Sequence, residues 1–393
     1  MHPILLQFQE IFQRSYPGWV WRRYPKPVTD HVPVFTFHTV QPESFEAQLQ
    51  FLKDNAYQTI PSRSLIRYIR DGEKIGDRAV MLTFDDGRKS VWSVAYPLLK
   101  KYNMCATVFL TPAIMDESRQ LSKSIEDVWQ AKADPDAVVH ADQSDSPTLT
   151  WQEIQIIHQS GIIDFQCHSY SHQRIPVGPK ITGFVSPEKI KSHYFKFGIP
   201  YFPEMLSEKA DLRAYIGAPI YQMAPSLSGE RMFINENLMK HCISFVSTHG
   251  GEKFFNQRGW QKILKKQAKE YCRINSTAHF ESKNEQKERI ITELIRAKDM
   301  IESHLRNHTV QCLAYPWGAG SDLAVQCSQE AGYQANFWST LPGHSKNQIG
   351  NNPFFLVRLK HDFLWRLPGN GRRSLLDLFS FKLRRRAGGK IDY

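Results

Sequence analysis

Short apolar runs alternate with amphipathic stretches along most of this chain. VPVFTFH (32–38), AVMLTF (79–84), CATVFLT (105–111), IIDFQC (162–167), VQCLAYPWG (310–318) and YQANFWS (333–339) have strand composition. Between them, SFEAQLQFLKDNAY (44–57) repeats Phe45, Leu49 and Leu52 at helical spacing. SVAYPLLKKYN (93–103), TWQEIQIIHQSG (150–161) and EQKERIITELIRAKDMIESHL (285–305) also read as helices, the second with a capping residue at its start and Gly161 at its end. Strands that alternate with helices predict βα units around a parallel sheet or barrel.

The alternation lapses in three places. Residues 1–30 are rich in Pro and aromatics and read as an irregular arm; 116–149 is rich in Asp, Ser and Pro and reads as a surface excursion. Between about 174 and 282 the pattern breaks down into a long insertion, whose GAPIYQMAPSLSGER stretch has the composition of a shaped surface rather than a linker. The expected organisation is an arm (1–30), a main domain (31–365) interrupted by that insertion, and a tail (366–393).

Composition supports a folded core, with 393 residues, 41% hydrophobic and 12% aromatic. No apolar run is long enough to span a bilayer. The N-terminal residues lack a basic region ahead of their apolar positions, which predicts a cytoplasmic protein. Six scattered cysteines without a CxxC pair read as reduced thiols.

Fifty Lys and Arg against thirty-nine Asp and Glu give a formal charge of +11. The excess is concentrated in GWQKILKKQAKEYCR (259–273) and in the tail GRRSLLDLFSFKLRRRAGGK (371–390). There Leu375, Leu376, Leu378, Phe379 and Leu383 could form one apolar helical face beside Arg384, Arg385 and Arg386, suited to peripheral contact with an anionic membrane at its inner face. A docked helix with a solvated basic end fits the same pattern. No nucleic-acid-binding motif accompanies the charge, and no nucleic acid is expected as a partner.

The chemistry begins in MLTFDDGRKS (81–90), where Asp85 and Asp86 sit side by side at the end of an apolar run. Adjacent carboxylates repel unless a cation or a proton sits between them. After the strand 162–167 comes HSYSHQ, whose His168 and His172 could converge on one divalent ion if the segment turns. An HxxxH spacing alone is weak evidence. Both segments, however, follow strands, and in a barrel all such strand ends lie on one face. One Asp and two His leave coordination positions open, and the second Asp can remain as a base beside a bound water.

With these residues the chain resembles the polysaccharide deacetylases of the NodB-homology type, also called carbohydrate esterase family 4. The motifs stand here as Thr83-Phe84-Asp85-Asp86-Gly87, His168-Ser169-Tyr170-Ser171-His172 and Tyr315-Pro316-Trp317-Gly318, the last a Tyr-Pro-aromatic-Gly form shared by a subset of the family. The resemblance covers about 31–173 and 285–365. It implies a distorted (β/α) barrel, Asp85 as general base, and Asp86, His168 and His172 as ligands of one divalent transition metal, Zn2+ first, with Co2+ or Ni2+ as alternatives. It further implies an oxyanion held by the metal and the Trp317 N–H, and a histidine near the site at His38.

Two departures from the family pattern stand out. The arginine that usually opens the third motif and braces the base is replaced by Ala314, so another arginine does this work or none does. The usual Trp-x-x-Asp is absent, which makes His361 in VRLKHDF the nearest candidate for the general acid, with Asp362 beside it and Arg358 three residues earlier. Tyr315, Trp317, Arg358 and His38 are thus the candidates for holding substrate or oxyanion. The expected activity is N-deacetylation of a hexosamine in a glycan or glycolipid precursor of surface polysaccharide or lipopolysaccharide. The alternative is a catalytically silent carbohydrate- or membrane-binding protein on the same fold.

Overall fold

The computed structural model describes residues 15–144, 146–191, 211–275, 279–378 and 380. In chain order its strands are β1 (Val34–Phe37), β2 (Gln58–Thr59), β3 (Ala79–Asp85), β4 (Ala106–Leu110), β5 (Ile163–Cys167), β6 (Arg174–Phe184), β7 (Pro219–Pro225), β8 (Met232–Phe233), β9 (His279–Phe280), β10 (Cys312–Ala314), β11 (Ala335–Phe337) and β12 (Leu359–Lys360). Of the apolar face expected in the tail, Leu378 is buried and Leu376 exposed, while Phe379, Leu383 and Arg384–Arg386 fall outside the described residues.

Contacts divide the chain into two compact units. The first comprises the described residues up to Tyr170, with Leu294–Gly318 and Ser328 onward. Its sheet runs β11-β10-β5-β4-β3-β1-β12, every neighbouring pair parallel, with β2 added beside β3. The curled parallel sheet with helices is the half-barrel that the βα alternation predicts. All seven residues of β3 are buried, which is why it reads as a continuous apolar run rather than an alternating one.

Parallel partners in register face the same side of a sheet. Val34 pairs Met81 and Thr36 pairs Thr83 across β1 and β3, and these residues look to one side. Phe37 pairs Phe84 on the other, where both rings meet Phe45 of helix Pro42–Asp54. The helix Trp151–Ser160 starts on a reciprocal capping box between Thr150 and Glu153 and ends at Gly161 in the left-handed region, as its sequence predicts.

The excursion at 116–149 is exposed along much of its length, as its polarity predicts, yet it carries structure of its own. It contains the helices Ile125–Trp129 and Pro135–Val139, and it buries Val138, Asp142 and Leu149. The buried Asp142 accepts from the Ser90 N–H at 2.6 Å and from the Ser90 hydroxyl at 2.8 Å. The second unit comprises Ser171–Glu293 and Ala319–Cys327. It has regular structure that the pattern reading missed: an antiparallel β6–β7 pair interrupted by bulges, the small β8–β9 pair, and the helices Glu236–Thr248 and Trp260–Asn275 around a core of Phe184, Tyr221, Leu238, Cys242, Val246 and Leu264.

Candidate active site

Register alone gathers the chemistry. Extending the face that carries Met81 and Thr83 by two residues reaches Asp85 at the end of β3, and the same step from Thr36 on β1 reaches His38. On β5, Gln166 pairs Phe109 of β4, so His168, two residues on, lies on that face as well. Phe35 pairs Leu359, which sets Arg358 beside Val34, again on the same face. Asp85 at the end of β3, His38 and His168 just beyond β1 and β5, and Arg358 just ahead of β12 thus share one face of the sheet.

Asp85 is held by Arg358. Nη1 donates to Oδ1 at 2.6 Å and Nη2 to Oδ2 at 2.9 Å, with both side chains at most 4% exposed. Arg358 is itself fixed by donation from Nε to the Trp338 carbonyl at 3.2 Å. Burial pushes the Asp85 carboxyl up, but the Arg358 charge, aided by His168, His38 and the Arg358 hydrogen bonds, more than offsets this and holds it below the usual carboxylate range. Asp85 is therefore an ionised carboxylate at neutral pH. This contact comes from just ahead of β12, from a residue that the sequence marked only as a substrate or oxyanion candidate.

Asp86, His168 and His172 offer ligand atoms within 4.8 Å of one another, and all three are buried. The His168 Nδ1–H donates to the Ala314 carbonyl at 2.9 Å, which turns Nε2 toward the carboxylates, 3.6 Å from Asp86 Oδ1 and 3.8 Å from Asp85 Oδ2. Ala314 thus orients a histidine through its main chain. One carboxylate and two imidazoles, one of them with its tautomer fixed by an outer hydrogen bond, is a donor set that fits Zn2+, Co2+ or Ni2+. His172 follows His168 by four residues on the same loop, and that loop turns through left-handed backbone at Ser169 (φ 66°) and His172 (φ 55°).

Asp86 (φ 71°) and Trp317 (φ 61°) share this conformation, so four of the eight non-glycine residues with positive φ among the described residues belong to these motifs. Such backbone is costly and persists where surrounding structure enforces it. Gly87 completes the first turn at φ 66°, where an added Cβ would stand 2.9 Å from Leu110 and Met115.

The other candidates separate. His38 lies with Nε2 3.9 Å from Asp85 Oδ2. Burial pushes its pKa down to about 4, against the pull of Asp86 and Asp85, so the ring is neutral at pH 7. Trp317 follows β10 in a short 3-10 turn and is exposed at its side chain. Tyr315 corrects the sequence expectation: its ring is fully buried against Trp338, and its hydroxyl accepts from Asn336 at 2.7 Å, so the side chain is a core element and not a substrate contact. His361 continues the alternation of β12 onto the face opposite Arg358, where it stacks on Phe37 and sits 3.4 Å from the Gln48 amide of helix Pro42–Asp54. Its strand parity, one residue out of step with Arg358 and Lys360, turns it toward the helix layer. Arg88, on which the sequence reading placed no role, donates from Nε and Nη2 to Asp86 Oδ2 at 3.1 and 2.9 Å.

Residues 72–196 match the polysaccharide deacetylase family. YxkH of Bacillus subtilis (strain 168) is 33% identical over 98 residues, covering 23% of this chain and 34% of that protein. The poly-beta-1,6-N-acetyl-D-glucosamine N-deacetylase of Escherichia coli (strain K12) is 24% identical over 170 residues, covering 43% of this chain and 23% of that protein. The chain thus spans only about a quarter to a third of the length of these two relatives. The de-N-acetylase from Aggregatibacter actinomycetemcomitans shares the fold with a TM-score of 0.51 at 16% identity, over 90% of this chain and 100% of that one. The BpsB deacetylase domain from Bordetella bronchiseptica does so with a TM-score of 0.51 at 15% identity, over 86% and 98%.

Proposed function

We propose that this chain, whose residues 72–196 belong to the polysaccharide deacetylase family, is a metal-dependent N-deacetylase that releases acetate from N-acetylated hexosamine residues of a glycan or glycolipid. The observation that carries this reading is the pairing of an arginine-braced carboxylate, Asp85, with the Asp86, His168 and His172 group beside it. The name of the Escherichia coli relative supports a β-1,6-linked N-acetylglucosamine polymer as the first substrate to try.

A divalent ion held by Asp86, His168 and His172 would supply the positive charge that polarises the amide carbonyl and acidifies a water. Asp85 accepts the proton of that water as its oxygen attacks the carbonyl carbon. Arg358 keeps Asp85 ionised and fixes both its oxygens, so the base is oriented before substrate arrives. The backbone N–H of Trp317 is assigned to the developing oxyanion. When the carbon–nitrogen bond breaks, the leaving nitrogen takes up the proton. His38, neutral and 3.9 Å from Asp85, is the imidazole outside the ligand group positioned to pass it on. The products are acetate and a free amine.

The test is acetate release from β-1,6-linked N-acetylglucosamine oligomers by zinc-loaded protein, alongside Asp85→Asn. Release by the wild type and its loss in the variant support the reading. Absence of release from that polymer and from a panel of N-acetylated glycolipids, by protein carrying one zinc per chain, would overturn it.

A further inference from the structure

Asp86 faces two sets of partners through two different oxygens. Arg88 Nε and Nη2 both donate to Oδ2, at 3.1 and 2.9 Å, while Oδ1 is the oxygen 3.6 Å from His168 Nε2. The remaining guanidinium nitrogen, Nη1, donates to the Thr39 hydroxyl at 3.2 Å, so all three nitrogens are committed. The Thr39 hydroxyl also serves the buried carboxylate of Asp142. Asp142 in turn takes the N–H and hydroxyl of Ser90, and that hydroxyl is shared with the Val40 N–H at 3.3 Å. Arg88 is 11% exposed and has no freedom to leave Oδ2 without breaking this chain of bonds.

We propose that Arg88 is a positioning residue that restricts Asp86 to a single ligating oxygen, keeping coordination positions open at the cost of metal affinity. The inference rests on the metal-dependent reading above. A carboxylate can chelate an ion through both oxygens, and one that does so fills a position that water or substrate would otherwise occupy. With Oδ2 loaded by two charge-assisted donors, only Oδ1 remains for an ion held by His168 and His172. The guanidinium charge also repels a dication on the far side of the carboxylate, so the same contact that shapes the site weakens it. Geometry and charge therefore have separable consequences: a lysine retains the charge but not the planar two-donor fork, and a methionine retains neither.

The test uses the full-length protein, stripped of metal, with Zn2+ titrated in competition with a chromophoric chelator and Co2+ uptake followed by visible absorption. Arg88→Met is expected to bind Zn2+ at least about tenfold more tightly than wild type. Its Co2+ absorption is expected to weaken, as the coordination number rises when Asp86 becomes free to chelate. Arg88→Lys is expected to keep wild-type Zn2+ affinity and to show the weakened Co2+ absorption. Zinc affinity in a folded Arg88→Met that is unchanged or lower would overturn the proposal, as would a wild-type Co2+ spectrum in both variants. Should Arg88→Met fail to fold, Arg88→Lys decides through its spectrum alone. A wild-type chain that takes up no metal would instead overturn the function on which this inference rests.

Discussion

Arg358 grips both oxygens of Asp85, 2.6 and 2.9 Å away, although 273 residues of chain separate them. The contact opposes burial, which would otherwise raise the Asp85 carboxyl. Removing the guanidinium reverses the balance. Arg358→Met is expected to shift the acidic limb of kcat/KM to higher pH, because the base then stays protonated further up the scale. It is also expected to lose about 3–5 kcal/mol of stability, the usual cost of orphaning one member of a buried ion pair. A pH–rate profile and a urea titration read the two effects; an acidic limb that does not move would show that Arg358 serves folding only.

His38 makes stability fall on the acid side of neutrality. Its folded pKa of about 4 lies below the ordinary value of 6.5, so between these pH values the unfolded chain binds more protons than the folded one. Stability contributed by the neutral ring is complete above pH 6.5 and is lost as pH falls toward 4. The difference is about 3 kcal/mol at 1.36 kcal/mol per unit. Urea midpoints of metal-free protein should therefore drop over this window, and His38→Gln should flatten the drop. Burial also lowers His31 and His308, so the difference between wild type and variant is the quantity to read. Asp85 works in the same direction but lower, its contribution being lost only as pH falls through its own depressed pKa.

Metal uptake separates the ligands from their neighbours. His172→Ala removes one of the three ligand atoms, and elemental analysis is expected to show a large loss from about one transition-metal ion per chain. His361→Ala is expected to leave metal content unchanged, since that ring stacks on Phe37 and contacts Gln48. Retention of full metal content by His172→Ala would remove it from the ligand set.

The parallel sheet and the Asp85, Asp86, His168 and His172 cluster were legible in the sequence because each is local. An apolar run marks a strand, and a polar motif directly after it marks the strand's end. Arg358 and His361 were harder, because their difference is one of parity: one just ahead of β12 and the other just beyond it, they face opposite sides of the sheet. Parity is set by register against β1, which no local pattern records. Ala314 misled in another way, since the missing side chain suggested a lost function while the carbonyl orients His168. Arg88 was in plain view two residues after Asp86, yet a basic residue after a glycine turn reads as solvated until Thr39 and Asp142 are seen around it.

The turn after β10 gives a test of the oxyanion assignment that leaves the ligands and the base untouched. Gly318 has φ 63°, and its N–H closes the turn onto the Tyr315 carbonyl at 2.9 Å. A Cβ at this position would stand 2.6 Å from the Ser339 Cβ and 2.9 Å from its backbone nitrogen, so the clash involves main chain and cannot be relieved by a rotamer change alone. In Gly318→Ala the Tyr315–Gly318 turn must shift, taking the Trp317 N–H with it, while Asp86, His168 and His172 keep their positions. Loss of one oxyanion donor costs roughly 10²–10³ in kcat. The expected result is a fall of that order in acetate release with zinc content unchanged. Trp317→Ala, which trims the exposed side chain but keeps the backbone N–H, is expected to act mainly on KM. A Gly318→Ala variant with wild-type kcat would take the oxyanion role away from this turn.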